Sequence, residues 1–212
     1  MISAFPGLIE YTVQYLHGHG YGFNMYDIVD SEPIKIARAS RSSTAKVASE
    51  IADKTYCSSQ NEWYYGVKLH VQASARNGKL PVLKFYKVTS ASTHDLTAWR
   101  EILLTQENQE IYADKAYIDS ELQAHLEHWN NVLLRIPHKK SKGQKVITLF
   151  KQVDNTNHSK KRQPIDSLFA WIQEKTNIQK ASRVRSLSGL FLHIYSKLAA
   201  AIIIMFISIV NC

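Results

Sequence analysis

The feature that most restricts the fold is a pair of strand-like runs joined by a tight turn. Trp63–Val71 (WYYGVKLHV) is dense in aromatic and β-branched residues, the types that suit a pleated, half-buried surface. Asn77-Gly78 follows, a dipeptide at ease in the left-handed backbone of a hairpin turn, and Leu80–Thr89 (LPVLKFYKVT) answers as the antiparallel partner. A hairpin of that length commits the chain to a sheet and excludes an all-helical domain.

The flanking segments say what kind of sheet. Tyr26–Ile36 (YDIVDSEPIKI) reads as an earlier strand whose end is marked by Pro33. Residues 40–61, rich in Ser, Thr and Ala, read as a loop with one short helix at most. Beyond the hairpin, Leu96, Trp99, Ile102 and Leu103 have helical spacing, with Thr93 or Asp95 as candidate N-cap. Gln109–Ala116 reads as a fourth strand, Asp119–Trp129 as a helix, and Asn131–Ile136 as a fifth strand stopped by Pro137. Pro164 opens a helix with Ile165, Leu168, Phe169 and Ile172 on one face, and Leu187–Val210 forms the last. Strands come first and then alternate with helices, so the domain is α/β or α+β with a mixed sheet.

The two ends carry their own expectations. Residues 1–24 hold four of the eight glycines and read as a flexible leader, His17 and His19 included. Without a basic n-region or a long apolar run, the start does not resemble a secretory signal, and a cytoplasmic chain is the default. Leu198–Val210 is thirteen residues without a charge, short of the roughly 18–20 needed to span a bilayer, so a buried core helix is expected and no membrane partner. Cys57 and Cys212, far apart, exclude a cysteine-rich zinc site and argue against a disulfide scaffold.

Charge narrows the partners. The 26 Lys and Arg exceed the 18 Asp and Glu, giving net +8. The whole excess lies in residues 135–163, where Arg135, Lys139, Lys140, Lys142, Lys145, Lys151, Lys160, Lys161 and Arg162 face Asp154 alone. A basic block on an otherwise neutral globule is the electrostatic footprint of a polyanion binder, although a solvated lysine-rich loop has the same composition.

An enzyme acting on nucleic acid with two metal ions needs carboxylates converging from separate elements. Acids inside apolar strands are the candidates, because a charge there is costly unless compensated. Asp30, in IVDSEPI, and Asp114, in IYADKAY, satisfy that criterion. Asp27 is three residues from Asp30 and faces the other side of the sheet.

The segments VDSEPI, WYYGVKLH, YADKAY, QPIDSLFAWIQEKT and SRVRSLSGL occur in this order. Together they resemble the catalytic domain of bacterial insertion-sequence transposases of the DDE type, over about residues 25–205. The resemblance implies a ribonuclease H-like fold for residues 25–212: a mixed five-stranded sheet with flanking helices and adjacent first and fourth strands. The basic segment 135–163 would stand inserted before the helix that carries the third acid.

Carried over residue by residue, Asp30 matches the first acid and Asp114 the second. The third, Glu in the family, falls on Asp166, with Glu174 as the alternative. The resemblance further implies two Mg2+ ions held by Asp30, Asp114 and Asp166, with Mn2+ able to substitute. Double-stranded DNA, as element ends and target, is the implied partner, a homodimer on DNA is a candidate assembly, and a nucleoid-associated cytoplasmic location follows. Lys139, Lys140, Lys142, Lys160, Lys161, Arg162, Arg183 and Arg185 are the expected DNA contacts. Lys68 and His70 share a strand face that either meets phosphate or lines a solvated edge, and one of Trp63, Tyr64 and Tyr65 could stack on a base.

The activity implied is metal-dependent phosphodiester cleavage and strand transfer. Two other readings stay open: a DNA-binding relic of a truncated transposase that does not cut, since only the glycine-rich leader stands where the family usually has a further region, and a repair or resolvase-type nuclease.

Overall fold

The computed structural model describes residues 4–21, 26–58, 60–139 and 148–211. Cys212 and residues 22–25, where the leader was expected to meet the domain, lie outside them.

Six described strands make one mixed sheet: β1 (Asp27–Arg38), β2 (Asp53–Cys57), β3 (Glu62–Arg76), β4 (Lys79–Ser90), β5 (Gln109–Tyr112) and β6 (Val132–Arg135). The order is β2-β3-β1-β5-β6, with β4 also on β3. β3 runs antiparallel to β1 on one edge and shares its other edge between β2 and β4, while β1, β5 and β6 are parallel. The ribonuclease H-like arrangement stands, with β1 and β5 adjacent. β2 is the strand the composition hid.

Helices cover both faces. α1 (Ala4–Gly18), α5 (Pro164–Thr176) and α6 (Leu187–Val210) close one core around Ile28, Ile34, Val67 and Leu69. α2 (Asp95–Leu104) and α3 (Ser120–Asn130) close the other around Val29, Trp99, Ile111 and Leu126. Ile28 and Val29 thus feed opposite cores, the period-two alternation of a strand buried on both faces. α4 (Leu149–Arg162) gives the C-terminal half of the basic segment a helical form.

Three expectations fail for local reasons. Residues 4–18 are a helix rather than a flexible leader: Ile9, Val13 and Leu16 make a buried stripe against α6, and Gly20, at φ +78°, comes only after the helix has ended. β1 does not stop at Pro33. The Lys35 N–H, on the same edge as the Pro33 nitrogen, donates to the Gln179 carbonyl and not to β3, so the missing proline N–H costs no ladder bond. Neither Thr93 nor Asp95 caps α2. His94 holds the cap position without a side-chain bond, because the Asp95 carboxylate is engaged by the sheet.

One glycine is dictated by packing. β1 bulges between Lys35 and Ala37, bringing the Ile34 carbonyl so close to Gly66 that a Cβ there would sit 2.0 Å from the oxygen.

By length and composition α6 could cross a membrane, with 24 residues and a mean hydropathy of 2.1 over its most apolar window. The helix is longer than its uncharged run because Lys197 and His193 find partners at the end of α5: Lys197 donates to the Thr176 and Asn177 carbonyls, and the His193 ring bonds Ile178 O. Leu190, Ile194, Leu198, Ile202 and Met205 are buried.

Candidate active site

Register brings the first two acids level. Asp27 pairs with Ile111 and Ile28 with Tyr112, so continuing the parallel ladder by three residues sets Asp30 across from Asp114. β5 ends two residues before Asp114, whose Oδ1 accepts the Ala116 N–H (2.7 Å) and caps a 3-10 turn at Lys115–Tyr117. Asp166 comes from the first turn of α5, where Pro164 starts the helix and Ile165 and Phe169 anchor it.

A polar cleft of about 350 Å³ is lined by all three, with Glu32, Asp95, Lys68 and Arg162. Five carboxylates against two cations leave the cleft negative. Asp30 accepts the Ser31 N–H at 2.8 Å and a hydrogen bond from Arg162 Nη1. Arg162 Nη2 is also 3.7 Å from Asp166, so one guanidinium lies between two of the acids. Burial raises the Asp30 pKa to about 6; Arg162 and the Ser31 N–H pull it back, and Asp114 and Asp166 add repulsion. Burial also lifts Glu32 to about 7, helped by the charges of Asp30 and Asp166.

Asp95 is the acid that sequence reasoning left out. Its Oδ1 accepts Ser31 Oγ (2.9 Å) and Lys68 Nζ (3.2 Å) and faces His70 Nδ1 at 3.6 Å. His70 is fully buried, which holds it neutral, well below its ordinary pKa. The sharing of a β3 face by Lys68 and His70 was the signal available, but that face is not a solvated edge: His70 is fully buried and Lys68 pairs with Asp95. Asp27 lies outside the cleft: Gln72, Ser74 and Lys84 satisfy its buried carboxylate. Glu174 does not line the cleft either. It pairs with Lys175 about 12 Å further along α5.

The donor set suits a hard dication: oxygen ligands only, buried enough to repel each other. The shell is not closed around a point, for among the described residues no group of three His, Cys, Asp or Glu side chains is placed to hold an ion. Arg162 takes the cationic role between Asp30 and Asp166.

The expected DNA contacts divide. Lys139 and Lys160 are exposed. Lys161 is committed locally, donating to Tyr112 Oη (2.7 Å) and lying over the Tyr26 and Tyr112 rings, 3.8 Å from Glu110. Arg162 belongs to the cleft. Arg183 and Arg185 are exposed, and Arg185 also donates to the Ser182 and Val184 carbonyls. Lys140, Lys142 and Lys145 lie outside the described residues. Of the aromatic trio, Tyr64 and Tyr65 are buried, and exposed Trp63 packs on Tyr56 and Lys54.

No curated protein and no solved structure matches the chain. The family model described as "Transposase DDE domain" matches residues 22–187, more than three-quarters of the length, and takes in Asp30, Asp114, Asp166 and the strands and helices that carry them. The chain therefore belongs to the transposase DDE domain family.

Proposed function

We propose that this chain is the catalytic domain of an insertion-sequence transposase, cutting phosphodiester bonds at element ends and joining the freed 3′-hydroxyl to target DNA, with Asp30, Asp114 and Asp166 as its three acids. The observation that carries this reading is the convergence of those residues, from β1, the end of β5 and the start of α5, in one negative cleft. Bound divalent ions, two Mg2+ or Mn2+ in their place, would supply activation of the attacking oxygen and stabilisation of the leaving one.

The chain's own residues supply the rest. The Ser31 and Ala116 N–H groups fix the Asp30 and Asp114 carboxylates in orientation. Ser31 ties the Asp30 strand to Asp95, and Asp95 positions the Lys68 ammonium at the cleft wall. Arg162 balances Asp30 and Asp166 until a cation or a phosphate takes over one of its partners. A DNA substrate accords with a cytoplasmic, nucleoid-associated location.

The test is strand cleavage of DNA bearing the element's ends, with Mg2+ or Mn2+. Asp30→Asn and Asp114→Asn should each abolish cleavage without lowering the melting temperature of the metal-free protein, because each removes a charge from a crowded negative cleft. Cleavage that survives both substitutions would place the site elsewhere. A DNA-binding domain that does not cut is the second reading. It is favoured by the half-exposed Asp166, one methylene shorter than the family's Glu, and it predicts no cleavage by any form in either metal.

A further inference from the structure

The cleft is negative, yet the surface beyond it on β1 is not. Past Asp30–Pro33, β1 continues into a trough of about 690 Å³ lined by Lys35, Arg38, Arg41 and Lys180, with Glu62 as its one acid. Lys35 already pairs with Glu62. Arg38, Arg41 and Lys180 are exposed and join no ion pair among the described residues. The Ser40 and Ser182 hydroxyls and the Gln173 and Asn177 amides add neutral donors. Cleft and trough meet where Gln179, a trough residue, donates to Glu32, a cleft residue.

Position gives this charge a direction. α4, which carries Lys151, Lys160, Lys161 and Arg162 of the basic block, ends at the N-terminus of α5, whereas Gln173 and Asn177 place the trough at the other end of α5. Asp166, in the first turn of α5, opens on the cleft between. Along an extended strand Lys35 and Arg38 stand roughly 17 and 26 Å from Asp30, at about 3.3 Å per residue. That is the length of roughly five to eight base pairs of duplex.

We infer that the trough around Arg38, Arg41 and Lys180 binds the phosphate backbone of duplex DNA as it leaves the cleft on the side opposite α4. The inference rests on the transposase reading for the identity of the polyanion, and it extends that reading to a surface outside the basic block. With cations on both sides, a duplex is held across a centre that would itself repel it. The neutral donors suit phosphate oxygens, and contacts to phosphate carry no sequence information.

The experiment measures equilibrium binding of the full chain to a labelled duplex of about 30 base pairs across a salt series, without divalent metal. Arg38→Glu/Arg41→Glu is compared with Arg76→Glu/Lys79→Glu, an equal charge change on the β3–β4 hairpin at the opposite end of the sheet. For the trough variant the slope of log K against log salt should flatten by about two units, roughly 0.9 per lost phosphate contact, and affinity at low salt should fall more than about tenfold. The hairpin variant should change the slope by well under one unit. Both should melt at the native temperature, since neither alters a buried group. Equal effects of the two variants, an unchanged slope in the trough variant, or a native chain that does not bind duplex would each overturn the inference. In an Asp30→Asn background, expected to stop cleavage, Arg38→Glu/Arg41→Glu should still flatten the slope by about two units, so this surface and the cutting site fail separately.

Discussion

On the proposed function Asp166 takes the third-acid position, one methylene short of a Glu, and its surroundings say what that should do. It sits on the first turn of α5, more than half exposed, with Arg162 one helical turn before it. Asp166→Asn should abolish cleavage, while Asp166→Glu should keep or raise it by restoring reach; an active Asp166→Asn protein would remove this residue from the site. Arg162 holds Asp30 and Asp166 in the way a metal ion would, so Arg162→Ala should tighten Mn2+ binding measured by calorimetry or electron paramagnetic resonance, and weaker binding would contradict the competition. His70 supplies a test by pH. An unfolded histidine takes up a proton near pH 6.5, whereas buried His70 resists it until well below that value. Its contribution to stability is therefore intact above pH 6.5 and lost as pH falls through the interval to the folded value. The melting temperature of His70→Gln should fall less steeply than native between pH 7 and 5, and parallel curves would count against a neutral buried ring.

Among the elements, the β1–β3 pair bears most on the site, since it carries Asp30 on one strand and Lys68 on the other. Gly66→Ala should cost about 3 kcal/mol or more, because the new methyl meets backbone at the Ile34 carbonyl instead of a side chain that can move. A melting temperature within a degree or two of native would show that the bulge can open. The same pair marks how far the sequence could be read. The hairpin, the α5 stripe and the limits of α6 were legible because each is a local pattern: a turn dipeptide in the first, a helical spacing of apolar residues in the other two. Asp30 and Asp114 were legible as costly charges among apolar neighbours. What stayed hidden depends on partners distant in sequence. Pro33 reads as a stop until Gln179 is seen to occupy its edge of β1, Asp95 reads as a cap until Ser31 and Lys68 claim it, and the glycines near the N-terminus conceal a helix whose reason to form is α6.

For the molecule as a whole, the compositional charge overstates what is free to meet DNA. Arg135 pairs with Glu110, Lys161 is fixed by Tyr112 and Glu110, and Arg162 faces the cleft. Lys139→Ala/Lys160→Ala should therefore flatten the salt dependence of duplex binding by about two units, while Lys161→Ala lowers the melting temperature and leaves the slope nearly unchanged. A slope that responds to Lys161 as much as to Lys160 would mean the Tyr112 contact yields readily. The three acids proposed for catalysis stand at positions 30, 114 and 166, and the parallel β1–β5 ladder that aligns the first two closes over more than eighty residues of intervening chain. Pairings of that span must overcome the entropy of closing a long loop and are slow to form. A nascent chain still emerging from the ribosome lacks Asp166 until after both strands are made, so the cleft that the proposed function relies on cannot assemble before residue 166 has been synthesised.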